Sequence, residues 1–131
     1  MKVVALDYGV ARTGVAVSDA TGTIAQPLGV VERAASPDGL DRIREIVGEQ
    51  GASRVVVGLP LTLRGERGKQ ARETDDFVTA LRQVLEIPIE TYDERFTTAI
   101  AAQGGGGAPE DARAAAHLLE SYLEWTSTTR S

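Results

Sequence analysis

The chain opens on a short apolar run that stops at a carboxylate. Val3-Val4-Ala5-Leu6 leads into Asp7, Tyr8 and Gly9, and a second run, Gly14-Val15-Ala16-Val17, follows almost at once and ends in Ser18-Asp19. Two such runs, this close together, read as a β-hairpin. The first strand then delivers Asp7 to its own C-terminal end. In open α/β sheets, that end of a strand is where ligands bind.

The rest of the chain supplies what a hairpin needs to become a domain. Residues 2–7 and 14–19 are read as the first two strands and 27–31 as a third. Ser36-Pro37-Asp38 is a helix start, with a hydroxyl to cap, a proline at the first position and an acid in the first turn. Leu40, Ile43, Ile46 and Val47 recur at helical spacing, and Gly51 suits the C-cap. Residues 54–59 are almost continuously apolar, as expected of a parallel strand covered on both faces. A polar loop, 62–69, precedes a second amphipathic helix with Phe77, Val78, Leu81, Val84 and Leu85 on one side. Residues 87–92 read as a fifth strand running into Asp93-Glu94-Arg95, and 96–103 as a short helical piece. Four glycines, 104–107, break the chain before Pro109 opens a last helix to about Trp125. The order predicts an α/β domain over residues 1–125, a mixed five-stranded sheet with an antiparallel start and flanking helices, and a frayed tail over 126–131.

Composition narrows the chemistry. There is no cysteine and one histidine, which leaves neither a thiolate metal site nor the residues for a zinc centre. A metal would be held by oxygen, which favours Mg²⁺ or Mn²⁺. The net charge of −5 argues against coating nucleic acid by bulk electrostatics, though not against a local grip. No apolar run approaches the roughly 20 residues of a membrane span, and no signal peptide is evident, so a cytoplasmic protein with no membrane partner is expected.

Three acids stand out. Asp7 and Glu94, with Asp93 as its alternate, follow predicted strand ends. On a helical wheel Asp111 falls within about 20° of Leu118 and Tyr122, on the face that packs toward the sheet. A carboxylate there costs free energy unless something pairs with it. Each acid also has an ordinary reading. Asp7 suits a turn, Asp93 and Glu94 suit ion pairs with Arg95, and Asp111 suits a helix N-terminus. Three from separate elements at one rim make a stronger case than any one alone.

Taken together, these stretches resemble the YqgF/RuvX family. The resemblance rests on Asp7-Tyr8-Gly9 with Arg12, Gly14 and Ser18-Asp19. It continues through Val57-Gly58-Leu59-Pro60-Leu61 with Gly65, and through Asp93-Glu94-Arg95-Phe96-Thr97-Thr98. It closes on Asp111 with Ala114-Ala115 and Leu118 to Leu123. It implies an RNase H-like fold akin to RuvC resolvases and a nuclease active in 5′-end maturation of pre-16S rRNA, with Holliday junction resolution as the alternative. The family acids map onto Asp7, Glu94 (or Asp93) and Asp111. They imply a two-metal site for Mg²⁺ or Mn²⁺, with Asp7 bridging ions roughly 3.5–4 Å apart. The implied partner is structured RNA, with branched DNA second. Arg12, Arg64, Arg67, Lys69, Arg95, Thr97 and Thr98 are the candidates for contact with its backbone. Family members often carry basic residues before the last helix, where this chain has Gly104 to Ala108. Symmetric cutting of a junction would require a homodimer. Two rivals remain open: an actin-like ATPase fragment, because Asp-x-Gly after a first strand opens those folds too, and a ribosome-assembly factor that binds RNA without cutting it.

Overall fold

The computed structural model describes residues 1–60, 67–94 and 109–129. Strands β1 (Val3–Asp7), β2 (Arg12–Ser18) and β3 (Ala25–Glu32) are followed by helix α1 (Pro37–Gln50). Strand β4 (Arg54–Leu59), helix α2 (Lys69–Val84), strand β5 (Ile89–Asp93) and helix α3 (Glu110–Thr129) complete the order. The five strands form one sheet in the order β3-β2-β1-β4-β5. The first three are antiparallel neighbours, and β4 runs parallel to both β1 and β5. This is the mixed sheet with an antiparallel start expected from the sequence.

Strand alternation divides the core into two layers. Val4, Leu6, Val55 and Val57 face one side, where Ile43 and Ile46 of α1 and Phe77 and Leu81 of α2 cover them. Val3, Ala5, Ala16 and Val56 face the other side, under Ala115, Leu118, Leu119 and Tyr122 of α3. β4 contributes to both layers, as its apolar run predicts. The residues beneath α3 are small, which lets the helix lie close to the sheet. At Gly14 the approach is closest: a Cβ there would sit 1.8 Å from the carbonyl oxygen of Asp111.

Local chemistry sets the boundaries. Ser36 caps α1 by accepting from the Gly39 amide at 3.1 Å, and Gly51 ends it in the left-handed conformation at φ 64°. Pro27 is tolerated because β3 is an edge strand. β5 begins two residues later than predicted. Pro88 offers no N–H to a ladder, but its carbonyl accepts from Val55 at 3.0 Å. α3 runs four residues past Trp125, to Thr129. Arg113 and His117 of this helix are half-buried. The predicted helical piece at 96–103 and the glycine run lie outside the described residues.

Asp19 turns out to be a turn-former. Its carboxylate accepts from the amides of Thr23 at 2.8 Å and Ile24 at 3.0 Å, which holds its pKa well below the ordinary value. Beside it, Ser18 Oγ accepts from the buried Val3 amide at 2.8 Å.

A polar clamp fixes the far half of α3. The Tyr122 hydroxyl donates to Glu90 of β5, and Arg54 of β4 donates to the Tyr122 oxygen at 3.1 Å. Removing that hydroxyl leaves a half-buried carboxylate and guanidinium short of a partner. Tyr122→Phe should therefore cost about 1–2 kcal/mol in urea unfolding; an unchanged midpoint would show that the clamp contributes nothing.

Candidate active site

The site is built at the C-terminal rim of the parallel half of the sheet. Asp7 ends β1, and Glu94 stands immediately after β5. These strands are not neighbours, because β4 lies between them. The gap is closed by Gly58. In register Leu6 lies beside Val57, so Gly58 is next to Asp7, and on its other side it pairs with Tyr92. Having no side chain, Gly58 leaves a channel through which Glu94 reaches Asp7. A Cβ at position 58 would come within 2.5 Å of Glu94 Oε1.

The Asp7 and Glu94 side chains line one cleft and act on each other's ionisation. Burial disfavours charge on both. For Glu94 the desolvation is joined by the hydrogen bond to Asp7 and by the charges of Asp7 and Asp93, and its pKa is pushed up to about 8. Asp7 is also raised, chiefly by burial and further by the charge of Asp111, against the lowering effect of the Glu94 hydrogen bond. Burial and mutual repulsion thus oppose ionisation of the two together. Of the two acids left open in the sequence, Glu94 is the one that lines the cleft with Asp7.

Asp111 arrives from the opposite face. Gly14 pairs with Asp7 across the hairpin, and the first turn of α3 rests on Gly14. The Asp111 side chain is 36% exposed and meets Arg12 Nε at 3.3 Å. It thus sits at the rim, beside Asp7 but not inside the carboxyl pair. Among the described residues, no group of three or more acidic or histidine side chains could hold a metal ion. The two-ion centre expected from the sequence is not assembled there.

The residues expected to grip a substrate have varied fates. Arg12 is engaged with Asp111, and Arg67 pairs with Asp75. Lys69 opens α2 in an exposed position. Arg64, Arg95, Thr97 and Thr98 lie outside the described residues. The structure adds a wall that the sequence reading missed. A cleft of about 280 Å³ runs from Asp7, Tyr8 and Glu94 to Gln70, Glu73 and Thr74 of α2. The signal for that wall was present, since Glu73 and Thr74 precede the core residue Phe77 by four and three positions and so share its face.

A family model described as "RuvX: Holliday junction resolvase" matches residues 1–125. The chain belongs to the RuvX family. A Chloroflexus aurantiacus protein named "Putative pre-16S rRNA nuclease" is 46% identical over 101 residues, which is 77% of this chain and 66% of that relative. The chain thus spans just under two thirds of its length. A Rubrobacter xylanophilus protein of the same name is 44% identical over 131 residues, covering 94% of this chain and 92% of its own. Among solved structures, T. thermophilus RuvC in complex with a Holliday junction substrate matches with TM-score 0.65 at 18% identity, covering 100% of this chain and 98% of that one. A second T. thermophilus RuvC structure matches with TM-score 0.57 at 19% identity, covering 95% and 96%. At these identities the likeness is one of fold, and that fold is RNase H-like.

The carboxyl pair makes stability depend on pH in a defined direction. Glu94 titrates near 8 when folded and near 4.5 ordinarily. Its contribution is therefore fully present below the lower value and is lost as pH rises through the upper one. In metal-free protein, the thermal midpoint of Glu94→Gln should gain on the wild type steadily between these limits. Gly58→Ala, which displaces Glu94 from Asp7, should flatten the profile in the same way. Parallel profiles for all three proteins would contradict the upward shift of Glu94.

Proposed function

We propose that this chain is a divalent-metal-dependent nuclease that hydrolyses phosphodiester bonds in 5′-end processing of pre-16S rRNA, a cytoplasmic task. The observation that carries the reading is the Asp7–Glu94 carboxyl pair at the open rim of an RNase H-like sheet in a RuvX chain. The names of the relatives at 46% and 44% identity support the substrate.

The pair fits a cation. Its donors are all oxygen, which suits Mg²⁺ or Mn²⁺. A bound ion would favour ionisation of both carboxyls, which burial opposes in its absence. Asp7 and Glu94 would hold it, and Asp111 is the third candidate ligand, already close enough for its charge to act on Asp7. A bound ion supplies activation of the attacking water and stabilisation of the leaving oxygen, roles that two ions would share.

The chain's own residues do the rest. Burial and Gly58 aim the two carboxyls at one point. Arg12 holds Asp111 at the rim and presents a mostly exposed guanidinium to a phosphate backbone. Lys69 and Arg67 lie at the start of α2, beside the cleft, with Arg64, Arg95, Thr97 and Thr98 as further candidates for backbone contact. A second reading, resolution of branched DNA, is favoured by the description of the matching family model and would call for a homodimer.

Wild type and Asp7→Asn should be compared on pre-16S rRNA and on four-way DNA junctions with Mg²⁺ or Mn²⁺. The wild type should cut the RNA, and the substitution should lower the rate by more than about 100-fold, at least as much as losing a residue that merely orients a metal ligand. Full activity in the mutant would sink the assignment. Cutting confined to junctions would favour the second reading. RNA binding without cleavage by the wild type would leave a non-catalytic assembly factor.

A further inference from the structure

Tyr8 follows Asp7 and lines the same cleft, yet the chemistry above gives it no role. Its ring lies on that of Phe77, with centroids 4.4 Å apart and planes 19° from parallel. Phe77 is 1% exposed and locked in the core, so it backs Tyr8 with a rigid surface. Tyr8 itself is only half-buried, and its uncovered part faces the cleft. Aromatic side chains held this way beside a nucleic-acid site are platforms for unpaired bases.

The cleft's size and charge point the same way. At about 280 Å³ it is at the small end of ligand sites. It suits one splayed-out base and not a base pair within a duplex. The facing wall carries Gln70, whose amide can both donate to and accept from a base edge. Glu73 lies there too, and with Asp76 its charge acts on the Tyr8 hydroxyl. Such a wall repels phosphate but not the flat face of a base. In a chain of net charge −5, stacking offers an attachment that does not depend on bulk electrostatics.

We propose that Tyr8, backed by Phe77, stacks one unpaired nucleobase beside the bond to be cut and so makes the enzyme selective for unpaired nucleotides at the cleavage point. The proposal rests on the nuclease reading for its setting, but its test does not depend on cleavage. The probe is a short single-stranded oligonucleotide with one 2-aminopurine between abasic nucleotides, titrated with the intact protein in the presence of Ca²⁺. Wild type and Tyr8→Phe should bind it with quenched fluorescence, and wild type should bind an all-abasic oligonucleotide about tenfold more weakly. Tyr8→Leu should lose the quenching and bind both oligonucleotides alike. Equal quenching by Tyr8→Leu would overturn the proposal. So would equal affinity of the wild type for the two oligonucleotides, a comparison that needs no folded variant. Failure of the nuclease reading would appear separately, as absence of cleavage by wild type with the quenching intact.

Discussion

The rim of this sheet is organised by the approach of two partly buried acids, Asp7 and Glu94, across Gly58. Burial opposes charge on both, and the neighbouring charges of Asp7 and Asp93 push Glu94 further up. That contact constrains everything around it. It requires β1 and β5 to point the same way, which the parallel pairing through β4 provides. It requires the intervening strand to lack a side chain at one position, which Gly58 provides. It also requires β5 to end one residue before Glu94, so that its side chain can turn back over the rim.

The antiparallel half of the sheet brings the third acid to the same place by a different route. Gly14 lies opposite Asp7 in the hairpin, and the first turn of α3 rests directly upon it. The small residues Ala5 and Ala16 keep the rest of the helix close, while the Tyr122 clamp to Glu90 and Arg54 fixes its far half. Helix position, and with it the placement of Asp111, therefore follows from packing at both ends. The ion pair with Arg12 is a smaller, solvent-exposed contribution of the kind worth about 0–1 kcal/mol.

Much of this was legible in the chain. The opening hairpin, the capped α1 and the doubly covered β4 follow from apolar periodicity and turn chemistry, which are local signals. Asp7 and Glu94 were visible as carboxylates at strand ends, and Asp111 as an acid on an otherwise apolar helix face. What could not be read lay in strand order, in helix docking and in the closing of one turn. Strand order decides that β4 separates the two acids, and only then does Gly58 acquire a purpose. Asp19 looked like part of a functional motif, but amides four and five residues on claim its carboxylate. Arg12 and Arg67 looked free to meet a substrate, yet each has an acid within reach through tertiary contact. That the face of α2 carrying Gln70, Glu73 and Thr74 walls a cleft beside Asp7 emerges only once the helix is docked.

The carboxyl pair is proposed above as a cation site. Calorimetric titration of Mn²⁺ into metal-free wild type, Asp7→Asn and Glu94→Gln tests it most directly. Binding by the wild type that is abolished by Asp7→Asn and sharply weakened by Glu94→Gln is the predicted result. Equal affinity in all three proteins, or no binding by the wild type, would contradict it.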